Sequence, residues 1–250
     1  MAKNLRVFNT LNDYNTAELV KPSVSYVVSN DKVFYDPYIS FQGKFKAEYS
    51  DGRVFSAHCT SDTILSSGDI NPSGYDSSAM TSCTIGSCVT NISGNTFFNC
   101  SGLTSIYIPN NVISIGRNAF QYCRSLTSAR VPYGITAFNP QLFDGCKSLT
   151  NINIPDSVTF IGHNVFIHCE NLENIVVPSG VTSIGQGCFW YCYKLKTITI
   201  EPEIPPIIDN GGAFDNTIEV FFVPSGSIDA YKTSVYWKQY KNKFQPIPNS

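Results

Sequence analysis

Charge is scarce in this 250-residue chain: 17 Lys and Arg stand against 19 Asp and Glu, which gives a formal net charge of -2. No basic run occurs, so the sequence lacks the electrostatic surface with which proteins bind DNA, RNA or an acidic membrane. Nor does it contain a run of about 18 apolar residues, the length that a membrane-spanning helix requires. We therefore predict neither a nucleic-acid partner nor a membrane span.

Signatures of catalysis are missing as well. The sequence has no G-x-S-x-G nucleophile motif, no Walker phosphate-binding motif and no dinucleotide-binding glycine pattern. Histidine is rare, and the two that are close together, His163 and His168, lie beside Cys169 and Glu170 without a second pair of metal ligands. We predict no catalytic residue, no cofactor and no metal site.

Cysteine, in contrast, is abundant and regularly placed. A catalytic nucleophile is needed once, in an environment that favours the thiolate, whereas several copies in register indicate a small buried residue of a structural unit. Side chains stacked in one row do not face each other as a disulfide requires, so we expect free thiols, with Cys83–Cys88 and Cys188–Cys192 as the pairs that would contradict this. Of the nine cysteines, five are spaced 23 residues apart and form a row: Cys100, Cys123, Cys146, Cys169 and Cys192.

Each 23-residue unit combines two local patterns, both visible in VFIHCENLENIVVPSGVTSIG at 165–185. Phe166, Cys169 and Leu172 are three residues apart, the spacing of a 3₁₀ or similarly tight turn. Ile175 and Val177 alternate with period two, as in a short β-strand. One such coil cannot bury its apolar face alone, so the repetition predicts a solenoid of stacked coils.

Two of the units, NNVISIGRNAFQYCRSLTSARVP and DSVTFIGHNVFIHCENLENIVVP, resemble the BspA-type leucine-rich repeat at nearly every position. The resemblance covers about residues 83–223 and implies a mainly β, leucine-rich-repeat-type solenoid of 23-residue coils. In the third unit Phe138–Asn139 replaces Ile–Gly and Pro140 follows, so we expect an altered bend there. The sixth unit has two extra residues and Thr217 where Cys is due, which marks the end of the array.

The amino-terminal residues follow a different pattern. Residues 1–70 are predicted to form a β-hairpin anchoring segment, with a short helix at 12–19 and hairpins at 23–37 and 45–59. Two hairpins are too small to be stable alone, so we expect them to pack on the first coil or on another chain. A linker rich in Ser, Gly and Asp, residues 71–82, leads into the array.

The carboxy-terminal residues 224–250 are predicted to form a short helical cap, and they resemble the closing segment of BspA-type arrays. Ser227 is placed to cap a short helix through its side chain. Trp237, Tyr240 and Phe244 then cover the end of the last coil, which would otherwise stay open to aggregation.

Aromatic residues beside the cysteine row form the candidate binding site. Solvated turns normally carry small polar residues, so flat apolar side chains there offer a surface for a glycan or a protein partner. The alternative is that these rings only overlap neighbouring coils. A competing and more ordinary surface is the outward strand row of Tyr107, Arg130, Asn153, Val176 and Thr199. The predicted contact residues are Phe98, Tyr122, His168, Trp190, Tyr191 and Tyr193.

The first 35 residues carry the remaining functional signal. Their Phe–Asn–Thr, Pro–x–Val–Ser–Tyr and Val–x–Tyr pattern resembles leaders of virion and surface proteins of Bacteroides-like bacteria and their phages, and they lack the apolar core of a secretory signal. An adhesin-type array without an export signal favours a non-enzymatic phage virion fibre or decoration subunit, made in a bacterial cytoplasm, that displays the array for attachment, because virions leave the cell by lysis.

Two alternatives to the virion fibre stay open. One is a bacterial surface or secreted BspA-type adhesin whose export signal precedes this sequence, and the other is a purely structural subunit that stabilises a particle. The predicted partners are other virion or surface proteins, a glycan or host-surface protein, and further copies of the chain in a homo-oligomer.

Overall fold

The computed structural model describes residues 43–58, 63–70, 76–209 and 212–248, together with the backbone of three earlier strands. The helix predicted at 12–19 lies outside the described residues. The antiparallel pairing of the second and third strands confirms the first predicted hairpin. The three strands are β1 (Val7–Phe8), β2 (Tyr26–Ser29) and β3 (Lys32–Tyr35), with β3 between the other two.

The second hairpin joins the repeat array directly. It consists of β4 (Gly43–Tyr49) and β5 (Val54–His58), and its turn at Asp51–Gly52 places Gly52 in the left-handed region with φ 82°. β4 also pairs antiparallel with the strand Met80–Ile85 of the first coil. The expectation that this hairpin packs on the first coil is confirmed, and the sheet of the array continues through it.

The strands of the coils pair in parallel with those of neighbouring coils and form two faces of the array, here called the A face and the B face. In chain order the strands are β6 (Ile64–Leu65), β7 (Met80–Ile85), β8 (Asn91–Ile92), β9 (Ser105–Tyr107), β10 (Ser114–Ile115), β11 (Ser128–Arg130), β12 (Ala137–Phe138), β13 (Phe160–Ile161), β14 (Val176–Val177), β15 (Ser183–Ile184), β16 (Thr197–Ile200), β17 (Ile207–Ile208), β18 (Val220–Val223) and β19 (Phe244–Pro246). The A face has the orders β5-β4-β7-β9-β11 and β14-β16-β18-β19, and the B face has β6-β8-β10 and β12-β13-β15-β17. The fold is therefore mainly β, a leucine-rich-repeat-type solenoid.

The array begins earlier than the repeat pattern indicates. β6 pairs in parallel with β8, and β7 begins at Met80, inside the predicted linker 71–82. An irregularity in the β4–β7 register at Tyr49 disturbs the period-two alternation around Met80, which explains why the strand was not predicted from its pattern. Short helices flank these strands, at Ser67–Ile70 and, in 3₁₀ form, at Ser77–Ala79.

The third side of the solenoid consists of the predicted tight turns. In four of them the cysteine N–H donates to the carbonyl of the phenylalanine three residues earlier, for example Cys146 to Phe143 at 3.1 Å. The phenylalanine rings stack from coil to coil with centroids 5.1 to 5.9 Å apart and form the centre of the core. The stacked residues are Phe97, Phe120, Phe143, Phe166, Phe189 and Phe214.

The cysteine row is buried, and its thiols act as hydrogen-bond donors. Cys146 Sγ lies 3.2 Å from the Phe120 carbonyl of the preceding coil, and Cys123, Cys169 and Cys192 repeat this contact at 3.1 to 3.3 Å. Burial raises the pKa of every thiol in the row, which keeps the proton that the hydrogen bond needs. The five cysteines are free, as predicted, and their role is structural.

Cys88 departs from the expectation of free thiols because it is disulfide-bonded. Neither of the two pairs considered from the sequence forms, since Cys83, Cys188 and Cys192 are all free. Cys88 is half-buried in the turn after β7 and does not belong to the stacked row, so the geometry that prevents pairing there does not apply to it.

We expect the native protein, without reductant, to react little with a thiol reagent, because its free cysteines are buried and their pKa values are raised. Denaturation should release seven thiols, since nine cysteines minus two in one disulfide leaves seven. Thiol titration together with the intact mass checks both numbers. A second disulfide, or fast labelling of the folded protein, would contradict the assignment.

The altered bend expected in the third unit coincides with a division in both ladders. On the B face β10 and β12 belong to separate sheets, and on the A face the sheet that ends at β11 does not reach β14. Where other coils use a glycine N–H, as Gly162 does toward Phe138, the side-chain amide of Asn139 donates to the Ile115 carbonyl at 2.6 Å. Pro140 restricts the backbone of Asn139, so the side chain replaces the main-chain donor.

The carboxy-terminal residues cover the last coil, as predicted. β19 adds to β18, and Trp237, Tyr240 and Phe244 are buried against the rings of Phe214 and Phe221. The helix of this cap spans Ile228–Thr233, with 3₁₀ turns at Ser225–Ser227 and Lys238–Tyr240. Ser227 stands at the N-cap position but its side chain makes no capping hydrogen bond, because a 3₁₀ turn leads directly into the helix.

Candidate functional site

The predicted contact residues lie on the third side of the solenoid and are here called the aromatic edge: Phe98, Tyr122, His168, Trp190, Tyr191 and Tyr193. One backbone position, two residues after the stacked phenylalanine, is left-handed in five of the six coils. It is filled by Asn99, Tyr122, Gly145, His168 and Tyr191, with φ between 57 and 71°. Glycine and asparagine adopt this conformation readily, whereas a tyrosine there costs about 1–2 kcal/mol.

The left-handed turn is held by a backbone ladder between coils. The N–H of Tyr122 donates to the Asp144 carbonyl at 2.7 Å, and that of His168 donates to the Trp190 carbonyl at 2.9 Å. At the degenerate sixth coil the carboxylate of Asp215 replaces the backbone carbonyl as acceptor and receives the hydrogen bond of the Tyr191 N–H at 2.9 Å. The turn thus projects its side chain outward at the same place in each coil.

At the amino-terminal end of the aromatic edge, Phe98 and Tyr122 are both exposed and meet edge to face, with centroids 5.6 Å apart. The ring of Tyr122 leans over Gly145, where a Cβ would lie 2.5 Å from Tyr122 Cδ1. Glycine at position 145 therefore makes room for that ring. Arg124, which the sequence did not indicate, lies 5.9 Å from the Tyr122 centroid.

The carboxy-terminal half of the aromatic edge is a tighter cluster. His168 stacks on Tyr191 with centroids 4.5 Å apart and planes 6° from parallel, and Tyr193 meets Tyr191 edge to face at 6.3 Å. Tyr191 and Tyr193 are 43% and 53% exposed, so these rings present apolar area to solvent. Trp190 and His168 are half-buried. This half offers the larger continuous aromatic surface.

A buried polar pair lies between the two halves. Gln121 Nε2 donates to Asp144 Oδ2 at 2.6 Å, and Gln141 Nε2 lies 3.4 Å from the same oxygen. Burial raises the pKa of Asp144, and the two glutamine hydrogen bonds oppose that rise. The pair occupies the positions held by Phe98 and Trp190 in other coils, so it fixes the turns rather than adding to the exposed surface.

Beside Phe98 the structure shows a pocket of about 290 Å³ that the sequence did not reveal. Its other lining residues are uncharged hydroxyl and amide side chains, Ser67, Ser77, Asn95, Thr96 and Asn99. Ser67 and Ser77 come from the short helices before the first complete coil, outside the repeat register, which is why the repeat pattern gave no signal for them. Neutral hydrogen-bonding groups thus meet the exposed ring at this end of the edge.

The competing strand row has its own groove on the A face, of about 530 Å³, lined by Glu48, Tyr107 and Arg130 and by three serines of successive strands. Arg130 lies 4.7 Å from the Tyr107 ring, and its guanidinium also donates to Ile108 O and Asn110 Oδ1. These contacts give the row a local structural role, as its ordinary polar composition indicates.

The two histidines weighed as metal ligands are separated in the fold. His163 Nε2 lies 3.5 Å from Asp209 Oδ2, whereas His168 belongs to the aromatic edge. No group of three His, Cys, Asp or Glu side chains suited to a metal ion occurs within the described part of the chain. In that same part, no helix has the length and hydropathy needed to cross a membrane.

Comparison with known families gives a specific match to this repeat. The model of the BspA type leucine-rich repeat region matches residues 68–196 in six copies. The chain belongs to this family. The match begins at residue 68, which agrees with an array that starts before the predicted boundary at 83.

Several solved structures are similar to the chain. A pneumococcal vaccine antigen, PcpA, has a TM-score of 0.51 at 18% identity, over 80% of this chain and 46% of that one. A leucine rich cell surface protein from Faecalibacterium prausnitzii is 26% identical with a TM-score of 0.46, over 82% and 54%. The chain thus spans about half the length of these two proteins. No curated protein matches the chain.

Proposed function

We propose that the protein is a non-enzymatic binding protein that attaches to a glycan or a surface protein through the aromatic edge. The observation that carries this proposal is the backbone strain at Tyr122, His168 and Tyr191, which occupy a left-handed position that Asn99 and Gly145 fill in other coils. Each large ring there costs stability relative to glycine or asparagine. Tyr122 and Tyr191 are exposed, so burial in the core does not repay that cost.

We further propose a bacterial surface location. Membership of the BspA type repeat family and the disulfide at Cys88 support it, because disulfides persist mainly outside the reducing cytoplasm. The phage virion fibre or decoration subunit predicted from the sequence would use the same binding face but has less support, since neither the family match nor the disulfide points to a virion.

The proposal is tested by removing the larger half of the aromatic edge. Replacing Trp190 by Ala and Tyr191 by Asn should weaken binding at least tenfold, because aromatic contact residues commonly contribute about 2 kcal/mol or more. Asparagine is used at 191 because Asn99 holds the same left-handed turn. Binding is measured on a glycan array and by attachment to bacterial and mucosal cells, with melting temperature as the control for folding.

Tyr133→Ala is the matched control, since Tyr133 is 49% exposed but lies outside the aromatic edge. It should leave attachment unchanged. Because Trp190 is half-buried, a second variant with Tyr191→Asn and Tyr193→Ala removes only exposed rings. Full attachment by both variants would show that the binding face lies elsewhere.

A further inference from the structure

The loop between β16 and β17 departs from the regular array. In the preceding coil five residues, 178–182, connect the two strands, whereas here six do, Glu201–Pro206. Insertions in a repeat array form loops on one face, and such loops are often used for binding. The sequence EPEIPP contains three prolines, which limit the conformations open to the loop.

The cap holds both ends of this loop in place. Tyr231 Oη donates to the Pro202 carbonyl at 2.7 Å, and Trp237 Nε1 donates to the Pro206 carbonyl at 2.7 Å, both in buried surroundings. Between these two fixed points stands Ile204, which is 83% exposed, more than any other large apolar side chain of the described residues. A rigid loop that presents a bare isoleucine is suited to insertion into a partner surface.

Apolar surface continues around the loop. A groove of about 620 Å³ lies along it, lined by all six residues of the loop and, among others, by Val181, Ile207 and Pro224. On the cap, Val235 and Tyr236 are also exposed, immediately before the Trp237 that binds the loop. The surface at this end of the molecule therefore carries both an apolar projection and an apolar recess.

The charges around this surface are of opposite sign on its two parts. The loop carries Glu201 and Glu203, and the cap carries exposed Lys232, Lys238 and Lys241. Within the described residues none of the five forms an ion pair. A two-fold axis would place the acidic loop of one copy against the basic cap of the other, twice over.

We propose that this end of the solenoid is a dimer interface, in which Ile204 of each copy packs against the cap and groove of a second copy. The acidic loop and the basic cap then pair across the two-fold axis, which fixes the orientation. A dimer joined at its caps carries two aromatic edges, so attachment to a surface with many ligands would be strengthened by avidity. The interface itself does not depend on what the aromatic edge binds.

Sedimentation velocity of the full chain tests the proposal. The wild-type protein should sediment with twice the mass of one chain, and Ile204→Asp should sediment as a single chain with an unchanged melting temperature. Ile113→Asp is the control, because Ile113 is 62% exposed on another coil and should leave the dimer intact. A wild-type monomer, or a dimer that survives Ile204→Asp, would overturn the proposal.

Charge reversal tests the orientation separately. A variant with Glu201→Lys and Glu203→Lys, and another with Lys238→Glu and Lys241→Glu, should each lose the dimer because like charges then face each other. An equal mixture of the two should form heterodimers, since every loop meets a cap of opposite sign. Failure of the mixture to associate would exclude the two-fold arrangement.

Discussion

Replacing Trp237 by Ala is expected to lower the free energy of unfolding by about 3–5 kcal/mol. Trp237 is fully buried, and its ring lies 5.4 Å from that of Phe214, 5.7 Å from Phe221 and 5.2 Å from Tyr231. Alanine leaves a cavity among these rings and removes the indole N–H that the Pro206 carbonyl accepts. Chemical unfolding monitored by circular dichroism measures the change.

Tyr236→Ala is the matched control, because Tyr236 directly precedes Trp237 in the chain but is 39% exposed. Its replacement should change the free energy of unfolding by less than about 0.5 kcal/mol. Trp237→Phe keeps most of the packing but loses the hydrogen bond to Pro206, so an intermediate loss is expected. Equal stability of the Trp237→Ala and Tyr236→Ala variants would show that the cap does not support the last coil.

Besides lowering stability, loss of the cap is expected to lower the solubility of the protein. β18 would present an open strand edge once the cap no longer holds β19 in place, and the ring of Phe221 would reach solvent. Uncovered ends of repeat arrays and open strand edges favour association between chains. Light scattering near the unfolding midpoint should therefore rise for Trp237→Ala and not for Tyr236→Ala.

The array itself was predictable because the same positions are buried in every coil and therefore need the same kinds of residue. Phe166, Cys169 and Leu172 recur at a fixed spacing since each occupies the same buried place in each coil, so five buried cysteines could be told from a catalytic one. The sequence did not show why the residue is cysteine. The structure does, through the thiol of Cys169, which donates to the Phe143 carbonyl at 3.3 Å.

Features outside the repeat register could not be predicted in the same way. The start of the array at Ile64, the disulfide at Cys88 and the pocket wall formed by Ser67 and Ser77 each occur once, so no periodic signal marks them. Long-range pairing decides these positions, and a single sequence does not record which distant segments meet.

The left-handed turn of the aromatic edge had a signal that was readable in the sequence. A second left-handed position, four residues earlier, is filled by Asn95, Asn118, Gln141, Asn164 and Gly187. Asparagine and glycine recurring at one place in a repeat are typical of that conformation. At the position four residues later, Tyr122, His168 and Tyr191 gave no such signal, because tyrosine and histidine do not favour the left-handed conformation.

Replacing Phe143 by Ala should also cost about 3–5 kcal/mol, and it should divide the unfolding of the array into two steps. Phe143 stacks on Phe120 at 5.4 Å and on Phe166 at 5.9 Å, in the coil where both strand ladders are divided. Coils contact only their neighbours, so at this place the ring stack contributes a larger share of the coupling between the two halves of the array.

Phe189→Ala is the comparison that separates the loss of coupling between the two halves of the array from the loss of ring packing itself. Phe189 is equally buried and stacked, at 5.4 Å from both Phe166 and Phe214, but continuous ladders run past it on both faces. A similar loss of stability with one cooperative transition is expected there, because β13, β15 and β17 still link the coils. Calorimetry distinguishes the two variants, and a single transition in Phe143→Ala would mean that the divided ladders do not weaken the array.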